Sequence, residues 1–103
     1  MEYRITFTVG QGKDRDGRNI KFIKSKLREV LSLISSEFGG YTLYHTNGGW
    51  TDENGKLIEE PSVVIVAFTS NLAPAKRTAA FMRDTFNQFC VVVTKESLDV
   101  EFI

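Results

Sequence analysis

Gly39-Gly40-Tyr41-Thr42-Leu43-Tyr44-His45-Thr46-Asn47-Gly48-Gly49-Trp50-Thr51-Asp52-Glu53-Asn54-Gly55-Lys56-Leu57-Ile58-Glu59-Glu60 reads as a long strand, a tight turn and a returning strand. The turn is the strongest short-range signal in the chain, because Asn54-Gly55 suits the positive backbone angles of a two-residue hairpin loop. The arms carry the single Trp, Trp50, and the single His, His45. Side chains alternate along a strand, so Tyr41 and Tyr44 point to opposite faces.

Outward from the hairpin, the pattern alternates between strand and helix. Tyr3, Ile5, Phe7 and Val9 alternate with Arg4, Thr6 and Thr8, as in a half-buried strand. Gly10 to Asn19 is glycine-rich and charged and reads as a mobile connection, ending in Asn19 as a helix cap. Ile20, Ile23, Leu27, Val30, Leu31, Ile34 and Phe38 recur at helical spacing, and Gly39-Gly40 stops that helix. After the hairpin, Pro61 interrupts pairing, and Val63 to Phe68 is apolar on both faces, the mark of a central strand. Asn71 and Pro74 open a second helix with the stripe Ala75, Ala79, Met82, Phe86 and Phe89. Cys90 to Val93 forms the fourth main strand, and Leu98, Val100 and Phe102 alternate in a short terminal one.

The order is that of an α+β, ferredoxin-like βαββαβ domain spanning 1–103: an antiparallel sheet, two helices on one face and an extended hairpin between the second and third strands. If Val64, Val66 and Phe68 face the helices, then Val63, Ile65 and Ala67 lie on the bare face. An exposed apolar sheet of that kind is an interface, so a homo-oligomer is expected, most simply a dimer.

Composition excludes several classes. Thirteen basic and thirteen acidic residues cancel, removing the broad positive field that drives nucleic-acid binding, and neither central strand carries the basic-aromatic motif of an RNA-binding sheet. Cys90 is the single cysteine, so no intrachain disulfide or cysteine zinc site forms, and a cytoplasmic home is the default. Neither a signal peptide nor a membrane-spanning run is visible.

The middle of the chain resembles small ferredoxin-like domains of bacteria and phages that share a glycine-rich hairpin. The matching positions are Gly39, Gly40 and Thr42, then Gly49-Trp50, Asp52, Gly55, Leu57, Glu60 and Ser62, then Val64-Ile65, and Phe86 with Gln88 ahead of Val91. The resemblance implies a ferredoxin-like fold and carries over no catalytic residue. Its phage association implies an antagonist of host defence, acting by binding a protein or by trapping a nucleotide signal.

Several residues are candidates for ligand binding. Trp50, flanked by glycines, either plugs the core or stacks on a planar ligand. His45, beside Tyr44, is either a structural hydrogen-bond partner or a ligand-facing donor or base. Lys13, Arg15 and Arg18, ahead of a helix, either cradle an anion or simply solvate a loop, and Gly10-Gln11-Gly12 completes no nucleotide-binding fingerprint. Glu59 and Glu60 point to opposite faces and cannot act as an acid/base pair. Cys90 reads as a small buried hydrophobe. With one His and no cysteine pair, no metal or other cofactor is called for.

The sequence therefore predicts a non-enzymatic, oligomeric binding protein that sequesters a small anionic, nucleotide-like ligand in a phage counter-defence setting. Two alternatives stand beside it: a protein-binding inhibitor of a host defence complex, and a small ferredoxin-like enzyme using His45.

Overall fold

The computed structural model describes residues 2–20 and 24–103. The chain folds as β1 (Glu2–Gly10), α1 (Lys24–Phe38), β2 (Thr42–Thr51), β3 (Leu57–Thr69), α2 (Ala75–Thr85) and β4 (Val92–Leu98). The strands form one antiparallel sheet in the order β2-β3-β1-β4, a ferredoxin-like α+β fold. Lys21 and Ile23, which the periodicity places on α1, lie outside the described residues.

The core is one layer between the sheet and the helices. Directly opposed residues of an antiparallel pair share a face, and the register Ile5↔Ala67, Phe7↔Ile65, Val9↔Val63 sets six apolar side chains in two rows. All six are buried under Leu27, Val30, Leu31, Ile34 and Phe38 of α1 and Ala75, Met82 and Phe86 at α2. The Phe7 and Phe38 rings meet at 6.0 Å between centroids. This reverses the expected orientation of β3: Val63, Ile65 and Ala67 face the helices, while Val64 and Val66 are half-buried and Phe68 is exposed on the open face.

Pairing also runs through Pro61, which sits opposite Asn47. A strand residue's N–H and C=O point the same way. The Pro61 carbonyl accepts from the Gln11 amide on the β1 side, so the missing N–H faces that side too, just past the last pair Gly10↔Ser62, and takes no bond from the β2 ladder.

The hairpin tip is a three-residue loop rather than the expected two-residue turn. The Gly55 amide donates to the Asp52 carbonyl (3.0 Å) and the Asp52 amide to the Lys56 carbonyl (2.9 Å). Gly55 holds φ +77, while Asn54 keeps negative φ. Asp52 Oδ1 accepts the amides of Asn54 and Lys56, both at 2.9 Å.

The stretch expected to be a mobile connection repeats that geometry. The Gly17 amide (φ +76) donates to the Asp14 carbonyl, the Asp14 amide donates to the Arg18 carbonyl, and Asp14 Oδ1 accepts the amides of Asp16 and Arg18. Lys13 pairs with Asn19 and the Ile20 amide donates to the Gly12 carbonyl. Asn19 is therefore part of a second, smaller hairpin and not a helix cap. The shared signal is legible in the sequence as Asp14-x-Asp16-Gly17-Arg18 and Asp52-x-Asn54-Gly55-Lys56.

α2 starts after Pro74, at its N-cap position, with the Asn71 side chain turning the chain beforehand by accepting the Ala73 amide. It stops sooner than its apolar stripe suggests. Asn87 takes φ +50, its amide donates to the Asp84 carbonyl and the Gln88 amide to that of Arg83, a Schellman closure with asparagine in the left-handed position. Phe89 consequently leaves the helical stripe and is 80% exposed, and Thr78 rather than Ala79 is fully buried beside Met82. Cys90 is exposed, not buried. The chain beyond Leu98 adds no fifth strand, and Phe102 lies largely exposed.

Candidate functional site

The open face of the sheet carries the most chemistry. β2 presents Tyr44, Thr46, Gly48 and Trp50 there. They lie opposite Val64, Ser62, Glu60 and Ile58 of β3, and β1 adds Thr8 and Gly10. Thr46 and Ser62 join through their hydroxyls at 2.6 Å, and Thr46 Oγ1 also lies 3.3 Å from the Ser62 carbonyl. If Thr46 donates to that carbonyl, Ser62 donates to Thr46. At the far end of β1, Arg4 grips the Glu96 carboxylate with both contacts at 2.9 Å.

Glu60 is the centre of this arrangement. Its half-buried side chain lies over the backbone of Gly10 and Gly12. A methyl built on Gly10 would strike Glu60 Oε1, and one on Gly12 would come within 2.7 Å of both Glu60 Cβ and Oε2. Both glycines are there because a carboxylate-bearing side chain occupies the space a Cβ would take. Across the hairpin, a Cβ on Gly48 would meet only Ser62 Oγ, at 3.9 Å. The result is a carboxylate seated on one side against glycine backbone and open on the other. Spacing along the chain gives Glu60 no role; the signal it overlooks is glycine at both Gly10 and Gly12, opposite the end of β3.

The predicted ligand residues divide between the two sides of the sheet. Trp50 is 54% exposed and Tyr44 53%, both on the open face, so Trp50 does not plug the core. Register puts them on either side of Glu60, Trp50 two residues toward the hairpin tip and Tyr44 four residues the other way. Lys13 follows Gly12 directly, and its carbonyl accepts from the Gln88 side chain at 3.0 Å. Arg15 and Arg18 lie farther round the small hairpin, which wraps the end of β1 and is tied to the turn after α2. The Arg15 amide donates to the Asn87 carbonyl, and the Asn87 side chain donates to Asp14 (3.1 Å) and Asp16 (2.8 Å). Burial raises the Asp14 carboxyl, but donation from Arg18, Asn87 and Asp16 outweighs this and holds it below the ordinary aspartate range. These ties join the three cations to the α2 end of the sheet rather than to Trp50. His45 pairs with Val63, so it lies on the helix side, opposite Tyr44 and Trp50.

Among the described residues no group of three His, Cys, Asp or Glu side chains could hold a metal ion, and no helix is long and apolar enough to cross a membrane.

No protein-family model and no curated protein matches the chain. Solved structures do. A phage SAM lyase in complex with S-methyl-5'-thioadenosine superposes with a TM-score of 0.71 at 15% identity, covering 92% of this chain and 80% of that one. The divalent cation tolerance protein Cut A1 from Thermus thermophilus gives 0.67 at 10% identity, over 99% and 88%. The phage SAM lyase in its apo state gives 0.64 at 17%, over 91% and 78%. At such identities the likeness is one of fold.

Proposed function

We propose that the protein binds a sulfonium nucleoside of the S-adenosylmethionine class on the open face and lowers its free concentration. The observation that carries this reading is the Glu60 carboxylate held over Gly10 and Gly12 beside exposed Trp50. A carboxylate in a partly enclosed seat recognises a compact positive charge, and an indole edge or face recognises a flat base. The ligand predicted from sequence is anionic; the seated carboxylate shifts the reading to a zwitterion with a cationic centre.

Self-association belongs to the same reading. Tyr44, Val64, Val66, Phe68 and Val92 leave an apolar strip beside the seat, and a second copy covering it would wall the ligand in. In a phage, depletion of such a nucleoside would serve counter-defence, as the resemblance implies.

One observation favours a second reading, turnover. A structural neighbour is a SAM lyase holding S-methyl-5'-thioadenosine, a thioether nucleoside. Breaking the sulfur–carbon bond to the amino-acid arm of a sulfonium leaves the electron pair on sulfur as such a thioether, while the released carbon bonds to the ligand's own carboxylate oxygen as a lactone. Both readings begin from the same complex.

The test is titration of the native chain with S-adenosylmethionine, followed by Trp50 fluorescence and calorimetry, with chromatography of the mixture. Binding with a fluorescence change, weakened roughly tenfold to hundredfold in Glu60→Gln, is expected. Accumulating S-methyl-5'-thioadenosine would make the protein an enzyme. A folded wild type that neither binds nor consumes S-adenosylmethionine ends the reading and leaves inhibition of a host protein complex in its place.

A further inference from the structure

The opposite side of the sheet holds a groove that the open-face reading does not use. The chain reverses at Gly39 (φ +87), so β2 runs back along α1. Between them lies an open groove of ≈ 520 Å³ with Leu27, Leu31 and Leu43 on its floor. Its rim is polar and sorted. Lys24 and Arg28, one helical turn apart, stand at the start of α1 with His45 on the strand side; Ser32, Ser35 and Tyr41 stand at the other end.

Charge is segregated here although the chain is neutral overall. Among the described residues the fully charged members of the lining, Lys24 and Arg28, are cations, and no aspartate or glutamate joins them. Glu37, farther along α1, is engaged by Arg77 at 3.1 Å. Neither Lys24 nor Arg28 makes an ion pair among the described residues. Two cations one turn apart repel each other unless an anion sits between them.

We infer that this groove is an anion site for a phosphate monoester with a planar body, a nucleoside monophosphate in class. The phosphate takes Lys24 and Arg28, with His45 beside it. The base lies toward Tyr41, with Ser32 and Ser35 as hydrogen-bonding partners for the sugar. Dimensions agree. Eleven helical steps from Lys24 to Ser35 cover ~16 Å, and four strand steps from Tyr41 to His45 cover ~13 Å, the scale of one mononucleotide. Arg28 suits a phosphate better than a lone ammonium would, because its planar fork offers two parallel donors.

The chain contains its own reporters. His45 lies in the groove and Trp50 on the other face, and each is the single residue of its kind. The native protein is titrated with AMP, adenosine and inorganic phosphate, following the His45 ring protons by NMR, Trp50 by fluorescence and affinity by calorimetry. AMP should shift the His45 signals and leave Trp50 unchanged, phosphate should compete with it, and adenosine should bind far more weakly. The double variant Lys24→Ala/Arg28→Ala, altering two exposed side chains, should lose at least about tenfold in AMP affinity at an unchanged melting temperature, with the loss shrinking as salt is raised. AMP that leaves His45 silent, that acts on Trp50 instead, or that binds the double variant like wild type overturns the inference. Silence at His45, or wild-type affinity in the double variant, leaves S-adenosylmethionine binding at Glu60 untouched, whereas an AMP response at Trp50 would move nucleotide binding to the open face.

Discussion

Gly12→Ala should destabilise the protein, and Gly10→Ala should instead empty the Glu60 seat. The methyl that Gly12→Ala adds would lie 2.7 Å from Glu60 Cβ, well inside the roughly 3.5–4.0 Å at which carbons rest. Cβ is fixed to the β3 backbone, so no rotamer change relieves the clash. Forced overpacking costs about 1–3 kcal/mol. Against this, Gly12 lies outside the left-handed region, so alanine recovers about 0.4–1 kcal/mol through the unfolded state. At the middle of both ranges the net loss is about 1 kcal/mol, a fall in Tm of roughly 4–8 °C for a domain of this size. The methyl added by Gly10→Ala meets the carboxyl end of the same side chain, which can swing away, so Tm should barely move while S-adenosylmethionine affinity falls. A double-mutant cycle isolates the contact. Glu60→Gly removes the Cβ and should recover about 1 kcal/mol in the Gly12→Ala background, by the overpacking it relieves, whereas Glu60→Ala keeps that Cβ and should not. Thermal melts followed by circular dichroism and binding by calorimetry read every variant. A Gly12→Ala protein that melts like wild type, or equal rescue by Glu60→Gly and Glu60→Ala, would refute the placement of Glu60.

Four further outcomes are expected. Gly55→Val puts a β-branched residue at φ +77 and should cost about 1–3 kcal/mol in denaturant unfolding, with no change in the ligand site. Ile65→Ala, at a fully buried position, should cost about 2–5 kcal/mol, and a loss below about 1 kcal/mol would mean that β3 is turned the other way. Val66→Lys on the open face should leave the monomer folded and reduce self-association measured by light scattering, and a wild type that is monomeric at micromolar concentration would remove the oligomer from the proposal. Asp14 has a depressed carboxyl, so its hold on the small hairpin is fully present above the ordinary aspartate value of about 4 and is lost as pH falls through the lower folded value. Amide exchange at Asp16 and Arg18 should therefore quicken in strong acid, relative to the intrinsic rate, and stay protected between mildly acidic and neutral pH.

The element order was legible because β1 and both helices carry their own period, while the Asn54-Gly55 turn marks the hairpin and the short β-branched run Val63-Val64-Ile65-Val66 marks β3. What period cannot supply is phase where both faces are apolar. Val63-Val64-Ile65-Val66-Ala67-Phe68 fits either orientation, and a one-residue slip in register exchanges the two faces. β1 does decide the phase, since Ile5, Phe7 and Val9 alternate there with polar neighbours, but its influence on β3 passes through the pairing Phe7↔Ile65, a contact between residues far apart in sequence. The end of α2 failed for another reason: the stripe Met82, Phe86, Phe89 keeps helical spacing past the point where Asn87 turns left-handed, and the local turn overrides the period. The seat of Glu60 joins both difficulties. Its carboxylate lies over two glycines that the chain reaches long before it, at the end of β1, so composition and spacing see a flexible loop and a strand-end acid as separate features. Seen together, each glycine is the vacancy that the acid fills, which is why the decisive perturbation is a single methyl group placed on Gly10 or Gly12.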